Sequence, residues 1–228
     1  MDEPTVLGDV LARERRSERP ALRGGGRELD YRRFITTAWK AGNFLRHLGV
    51  RTGSAVGVVG RTPTTVLSLF GATALGASVS IDPAEDDAFR AVIAPTEQVD
   101  GYEAGNRVGY GTEPEDPETS YFERDVWSEN PVAPPETVAP DAPALVGAER
   151  TWTHAELLAA ARNTVNKLAP SDTVACRAPL SDPGAVAAGV VAPLLVGACV
   201  LLPADGDTGT VAVANGDTPE ARTLTPAR

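Results

Sequence analysis

The chain has 228 residues, 42% of them hydrophobic, and a formal net charge of −10 at pH 7, with 31 acidic against 21 basic residues. That apolar content allows one large or two small cores and excludes disorder throughout. The acidic surplus argues against nucleic acid as a partner, because phosphate binding wants a basic face.

Val6, Leu7, Val10 and Leu11 make an amphipathic turn, followed by the charged segment Arg13 to Arg19 and closed by Gly24 to Gly26. A strong helix is expected from Asp30 as N-cap. Tyr31, Phe34, Ile35, Ala38, Ala41, Leu45 and Leu48 fall on one stripe at three-and-four spacing, and Gly49 stops it. Residues 55–59 read as a buried strand. Thr62-Pro63 caps a helix over 64–75, Gly76 ends it, and 77–81 is the next strand. Strand, helix, strand in that order favours a parallel sheet with a right-handed crossover.

From 83 to 143 the pattern weakens to one short strand at 91–94, an acid- and Gly-rich stretch at 100–118, and a connector at 131–143 that carries five prolines. The earlier order then recurs. A strand at 144–146 leads to a helix over 153–168, with Leu157, Leu158, Ala161, Val165 and Leu168 inward, and a strand follows at 173–178. Asp182-Pro183 repeats the cap-plus-proline start, with Asp182 as N-cap. The segment 184–196 is apolar nearly all round, so it is expected to be buried, with Pro193 kinking its end. Gly197 closes it before a strand at 198–202. Leu75-Gly76-Ala77 and Val196-Gly197-Ala198 occupy matching places, so the halves read as one unit used twice. The expected fold is α/β, with two mainly parallel sheets and flanking helices in pseudo-repeated halves. Its expected parts are a first subdomain at 1–130, the connector at 131–143, a second subdomain at 144–203, and a poorly structured tail at 204–228 with at most a strand at 210–214.

The stretch 141–158 is where chemistry is sought. A short apolar run turns at Gly147, and Thr153 with Glu156 forms a capping box at the start of a helix. In nucleotide enzymes such a junction holds phosphate, since free backbone N–H groups and the positive end of the helix dipole face the loop. Elsewhere the bland readings prevail. His47 lies near a helix C-terminus, and Trp39, Trp127 and Trp152 are core or seam aromatics. Cys176 and Cys199 sit in apolar segments without metal-ligand spacing, so free buried thiols and no metal site are expected. With no basic-then-apolar leader and no run of membrane-spanning length, a cytoplasmic protein is expected.

These residues together resemble the front part of the adenylate-forming (AMP-binding) superfamily, which includes acyl-CoA synthetases, firefly luciferase and nonribosomal adenylation domains. The likeness covers most of 20–203. It is carried first by Asp30-Tyr31 with Phe34, Leu45, Gly49-Val50, Gly53-Ser54, Val56 and Leu75-Gly76-Ala77. It continues in Pro143-Ala144-Leu145-Val146 and in Thr153-His154 with Leu157-Leu158. In the family a Ser/Thr/Gly tract ending in lysine lies between these flanks and wraps the ATP phosphates. Here only Gly147, Ala148, Glu149, Arg150, Thr151 and Trp152 intervene. Pro179-Leu180, Gly184, Pro193-Leu194-Leu195 and Gly197-Ala198 resemble segments that partly border the acyl side of the family's pocket. Gly109-Tyr110-Gly111-Thr112-Glu113 resembles the family's adenine and magnesium motif, but it lacks a spacer residue and precedes the phosphate loop. It is taken as coincidence.

The resemblance implies the large N-terminal domain of an acid–CoA ligase, with ATP, AMP or CoA as possible ligands. Gly147, Arg150, Thr151, Thr153 and His154 are the expected remnant of the phosphate loop, and Pro179, Leu180 and Gly184 the expected acyl-side wall. No catalytic residue is expected, because the tract and the family's C-terminal lysine domain are both missing from the sequence. The implied role is a binding or regulatory partner of a full-length ligase. The alternatives are one half of a split ligase with a complementary chain, or a residual nucleotide or acyl sensor; oligomeric state stays open. Lys40 and Lys167 are the only lysines. That scarcity beside the acidic surplus resembles proteins of salt-accumulating halophiles, and high genomic GC content is the alternative.

Overall fold

A computed structural model describes residues 3–85 and 87–227. The strong helix is α1, Tyr31–His47, and Asp30 caps it by accepting the Arg33 N–H at 2.7 Å. The stripe from Tyr31 to Leu45 is buried as its spacing requires. β3 (Ala55–Val58), α2 (Pro63–Thr73) and β4 (Ser78–Ile81) follow, with β3 and β4 parallel. Every residue of α2 is buried, including the small polar Thr64, Thr65, Ser68 and Thr73. The helix packs on α1 with Phe34 edge-on to Phe70 at 5.6 Å between centroids. The close crossing of α1 and α2 runs through Gly42 and Gly71, where a Cβ on Gly71 would lie 2.7 Å from the Gly42 nitrogen.

The remaining elements are β1 (Pro20–Gly24), β2 (Arg27–Asp30), β5 (Ala91–Pro95), β6 (Arg107–Tyr110), β7 (Ser120–Tyr121), α3 (Phe122–Trp127), β8 (Pro143–Val146) and β9 (Thr151–Thr153). They continue with α4 (His154–Val165), β10 (Thr173–Cys176), α5 (Pro183–Val186), α6 (Ala192–Val196), β11 (Cys199–Leu202), β12 (Val211–Val213) and β13 (Thr223–Leu224). Among the described residues the strands form two sheets, in the orders β13-β12-β10-β11-β1-β2 and β7-β6-β5-β3-β4-β8-β9. Both are parallel except for one antiparallel hairpin at an edge, β1–β2 or β8–β9. The six strands of the first order correspond to β6-β5-β3-β4-β8-β9 of the second, which has β7 in addition, so the repeat read from the glycine-ended helices extends to the sheets.

The hairpins are exchanged between the halves. β1 and β2, which precede α1, sit beside β11, while β8 and β9, which precede α4, sit beside β4. A division of the sequence at 131–143 therefore does not divide the sheets. One continuous core joins Leu22 and Phe34 to Leu145, Val190 and Leu202.

Several other elements depart from the sequence expectation. The segment 20–30 forms a hairpin around Gly25 and Gly26, both at positive φ, a turn that matches the strand twist. Tyr110 of the adenine-like pentapeptide is buried at the end of β6, with its hydroxyl donating to the Val59 carbonyl at 2.9 Å. Trp127 is not a core aromatic. It is 80% exposed, with the Lys40 ammonium 5.0 Å above its ring. The helical segment from Pro183 is disturbed by a π turn at Ala187–Val191, just before Pro193. Proline lacks an N–H and its ring presses on the carbonyl four residues back, and the wider turn accommodates both.

The tail is more ordered than expected, because β12 and β13 extend the first sheet. It is pinned by Glu220, which accepts bonds of 2.8 and 2.7 Å from Arg177 and one of 3.1 Å from the Gly209 N–H. Hydrogen bonding from Arg177 holds its carboxyl down at about 2. Replacing Glu220 with Ala leaves the half-buried Arg177 without its counter-charge. A loss of about 2 kcal/mol in urea unfolding is expected, and Glu220→Gln should recover part of it.

Candidate functional site

β8 and β9 are joined by a tight turn, with Val146 opposite Thr151 in the register. The Gly147 N–H donates to the Arg150 carbonyl at 3.0 Å, and a Cβ on Gly147 would come within 2.8 Å of the Pro183 ring. The turn is thus packed against the start of α5. Thr151 is exposed, and Trp152 packs its partly buried ring against the core. The Arg150 guanidinium lies 4.4 Å from the Trp152 ring centroid and bonds Glu156 at 2.7 Å.

The expected capping box is present. Thr153 Oγ1 accepts the Glu156 N–H at 3.2 Å, and Glu156 Oε2 accepts the Thr153 N–H at 2.8 Å. The backbone bond from Thr153 and the contact with Arg150 help hold the Glu156 carboxyl below its usual range. The first turn of α4 has further partners that the sequence did not reveal. The His154 N–H donates to the Ala142 carbonyl at 3.2 Å, and the Ala155 N–H to the Pro140 carbonyl at 2.8 Å. The proline-rich connector, read as a spacer, therefore folds back and occupies the helix N-terminus. A free helix start attracts anions through these same donors; here the connector and Thr153 have taken them.

His154 is fully buried, and its Nδ1 accepts the Leu7 N–H at 3.0 Å. With Nδ1 as acceptor the proton sits on Nε2, which has no partner among the described residues. Burial pushes its pKa down to about 4, opposed by Asp9. A neutral imidazole buried against the N-terminal segment serves there as a packing element.

The acyl-side residues divide. Pro179 is exposed and Leu180 is buried in the core. Asp182 caps α5 through the Gly184 N–H at 2.8 Å, as expected. The main chain of Ala227 lies directly against Gly184, where any Cβ would collide with it, and donates its N–H to the Gly184 carbonyl at 3.2 Å. The structure thus brings Gly147 and Gly184 to the two ends of one short stretch, Pro183 against the turn and Ala227 against α5, and both approaches are filled. Cys176 and Cys199 are free and buried, and burial raises their thiols to about 12 and about 11. No group of residues suited to a metal ion occurs among the described residues, and no described helix is long and apolar enough to cross a membrane.

No protein-family model matches the chain, and no curated sequence does. Solved structures do. The anthranilate CoA ligase AuaEII, determined in complex with anthranoyl-AMP, superposes with a TM-score of 0.75 at 21% identity, over 89% of this chain and 46% of that one. A benzoate CoA ligase from Burkholderia xenovorans LB400 gives 0.75 at 20%, over 91% and 50%. The nonribosomal peptide synthetase FmoA3, bound to α-methyl-L-serine-AMP, gives 0.69 at 22%, over 89% and 24%. The chain spans about half the length of the CoA ligases it matches, and it has the α/β fold of their adenylate-forming domains.

Proposed function

We propose that this chain is a non-catalytic relative of the acyl-adenylating ligases that acts through binding, as a regulatory or assembly partner of a full-length ligase. The observation that carries the reading is the occupied start of α4. The Pro140 and Ala142 carbonyls and the Thr153 hydroxyl take the N–H groups of Ala155, His154 and Glu156. Transfer of a nucleotidyl group needs preorganised donors on the phosphates, commonly worth about 2–4 kcal/mol of barrier for each strong one. At this junction the Arg150 cation is tied to Glu156 and Trp152.

ATP–pyrophosphate exchange with a panel of aromatic and aliphatic carboxylic acids is expected to stay at blank. Exchange above blank that Arg150→Ala abolishes would overturn the reading. The half-length match with the CoA ligases favours one second reading, a split ligase completed by another chain. In that case the blank exchange turns positive when a polypeptide that carries the family's C-terminal lysine domain is added.

A further inference from the structure

A cleft of about 1080 Å³ lies away from the hairpin turn, between the N-terminal segment and the connector at Pro131 to Ala133. Its walls carry three arginines, Arg13, Arg15 and Arg16, and three acids, Glu3, Asp9 and Glu14, but most of the acids are engaged. Of the acids on its walls, Asp9 is consumed by the N–H groups of Thr5 and Val6 at 2.8 and 3.1 Å, and Glu3 pairs with Arg162 at 2.6 Å. Glu14 is exposed. Arg13 and Arg16 pair with no carboxylate among the described residues, in a protein whose formal net charge is −10. The Arg16 guanidinium lies 4.3 Å from the centroid of the Trp39 ring, and its Nε is buried without a partner. Burial together with the neighbouring Arg13 and Arg32 lowers the Arg16 pKa, as expected of a cation lacking its counter-charge.

A buried guanidinium donor that bonds nothing is costly unless a ligand completes it. Beside it the cleft offers Leu11, Trp39 and Val132, the last of these 54% exposed. Leu11 and Trp39 are largely buried, so a lone inorganic anion satisfies the arginines but leaves Val132 wet. The volume lies just above the roughly 300–1,000 Å³ usual for small-molecule sites.

We infer that this cleft docks an extended acidic segment of a partner protein, with a carboxylate on Arg13 and Arg16 and a neighbouring apolar side chain on the wall of Trp39 and Val132. The inference stands on the cleft alone and does not depend on the state of the hairpin turn. A planar guanidinium held over an indole offers its fork of donors to a carboxylate, which supplies direction as well as charge.

The test uses the full chain and two blocked heptapeptides, Ser-Leu-Glu-Glu-Leu-Glu-Ser and its counterpart with every Glu replaced by Gln. Binding is read by calorimetry and by the Arg Nε–H resonances of ¹⁵N-labelled protein. The Glu peptide is expected to bind with a Kd below about 100 μM at low salt, to weaken as salt is raised, and to shift one Nε–H resonance. The Gln peptide, and the Glu peptide on the R13Q/R16Q protein, are each expected to bind at least tenfold more weakly. Equal binding of both peptides, no binding at millimolar peptide, or pyrophosphate shifting the resonance while the peptide does not would overturn the inference. So would a concentration-dependent dimer that the peptide fails to disperse. Should R13Q/R16Q not fold, the comparison of the two peptides on the unaltered protein decides alone.

Discussion

Produced separately, polypeptides covering 1–130 and 131–228 are expected to show no cooperative unfolding transition, and produced together they are expected to assemble into the native fold. The reason is the exchange of hairpins. Without residues 20–30, β11 loses its parallel partner at Val200, Leu201 and Leu202 and becomes an unpaired edge. Without 143–153, β4 loses Leu145 and Val146 as partners for Val79 and Ser80. Each break also opens the shared core, since Leu22 and Leu145 are fully buried in it. Burying such a leucine contributes about 1.5–3 kcal/mol, and each piece would forgo several residues of that kind, a loss comparable with the whole stability of a domain. Thermal melts of the two pieces alone and mixed make the measurement. A sharp melt from 1–130 by itself would show that the halves are independent and that the exchanged hairpins are decoration.

The second large effect is an acid sensitivity set by His154. Its folded-state pKa is pressed to about 4 by burial, whereas the unfolded chain titrates near 6.5. Between those values the unfolded state holds a proton that the folded state does not. The stability is therefore fully present above about pH 6.5 and is lost progressively as the pH falls to about 4. The difference corresponds to about 3 kcal/mol. Glu220 has the same sign in a lower window, from the ordinary carboxylate range down to about 2, so the two groups separate in a pH series of urea midpoints. In His154→Asn the amide oxygen still accepts the Leu7 N–H but nothing titrates. This variant is expected to be less stable at pH 7 and to lose the slope between pH 6.5 and 4. An unchanged slope would place the proton elsewhere. His154→Leu leaves the Leu7 N–H without a partner and is expected to be the weaker of the two variants at neutral pH, by about 1–3 kcal/mol.

This histidine shows how far local reading extends. Thr153-His154 and the capping box with Glu156 were legible, because a cap depends on residues three apart and on the side chains that bond there. What the imidazole faces was not, because Leu7 lies far away in sequence and only the packed N-terminal turn brings its N–H to Nδ1. The two hairpins behave alike. Gly24-Gly25-Gly26 between Leu22 and Leu29 carried a turn signal, yet strands this short have too few residues for a period to show. Their partners are chosen by the other half of the chain. Trp127 was misplaced for the converse reason: an indole is usually buried, but α3 turns it to solvent under Lys40.

The sequence by itself determined the long helices, the parallel strands between glycine-ended helices and the twofold repetition of that unit, since each rests on periodicity and caps within a few turns of chain. It also determined that the loop between Val146 and Thr153 is short. Only the tertiary structure decided what that shortness means. A brief turn could leave the start of α4 open to an anion or close it. The connector closes it, by bringing the Pro140 and Ala142 carbonyls onto N–H groups that any buried helix end must satisfy.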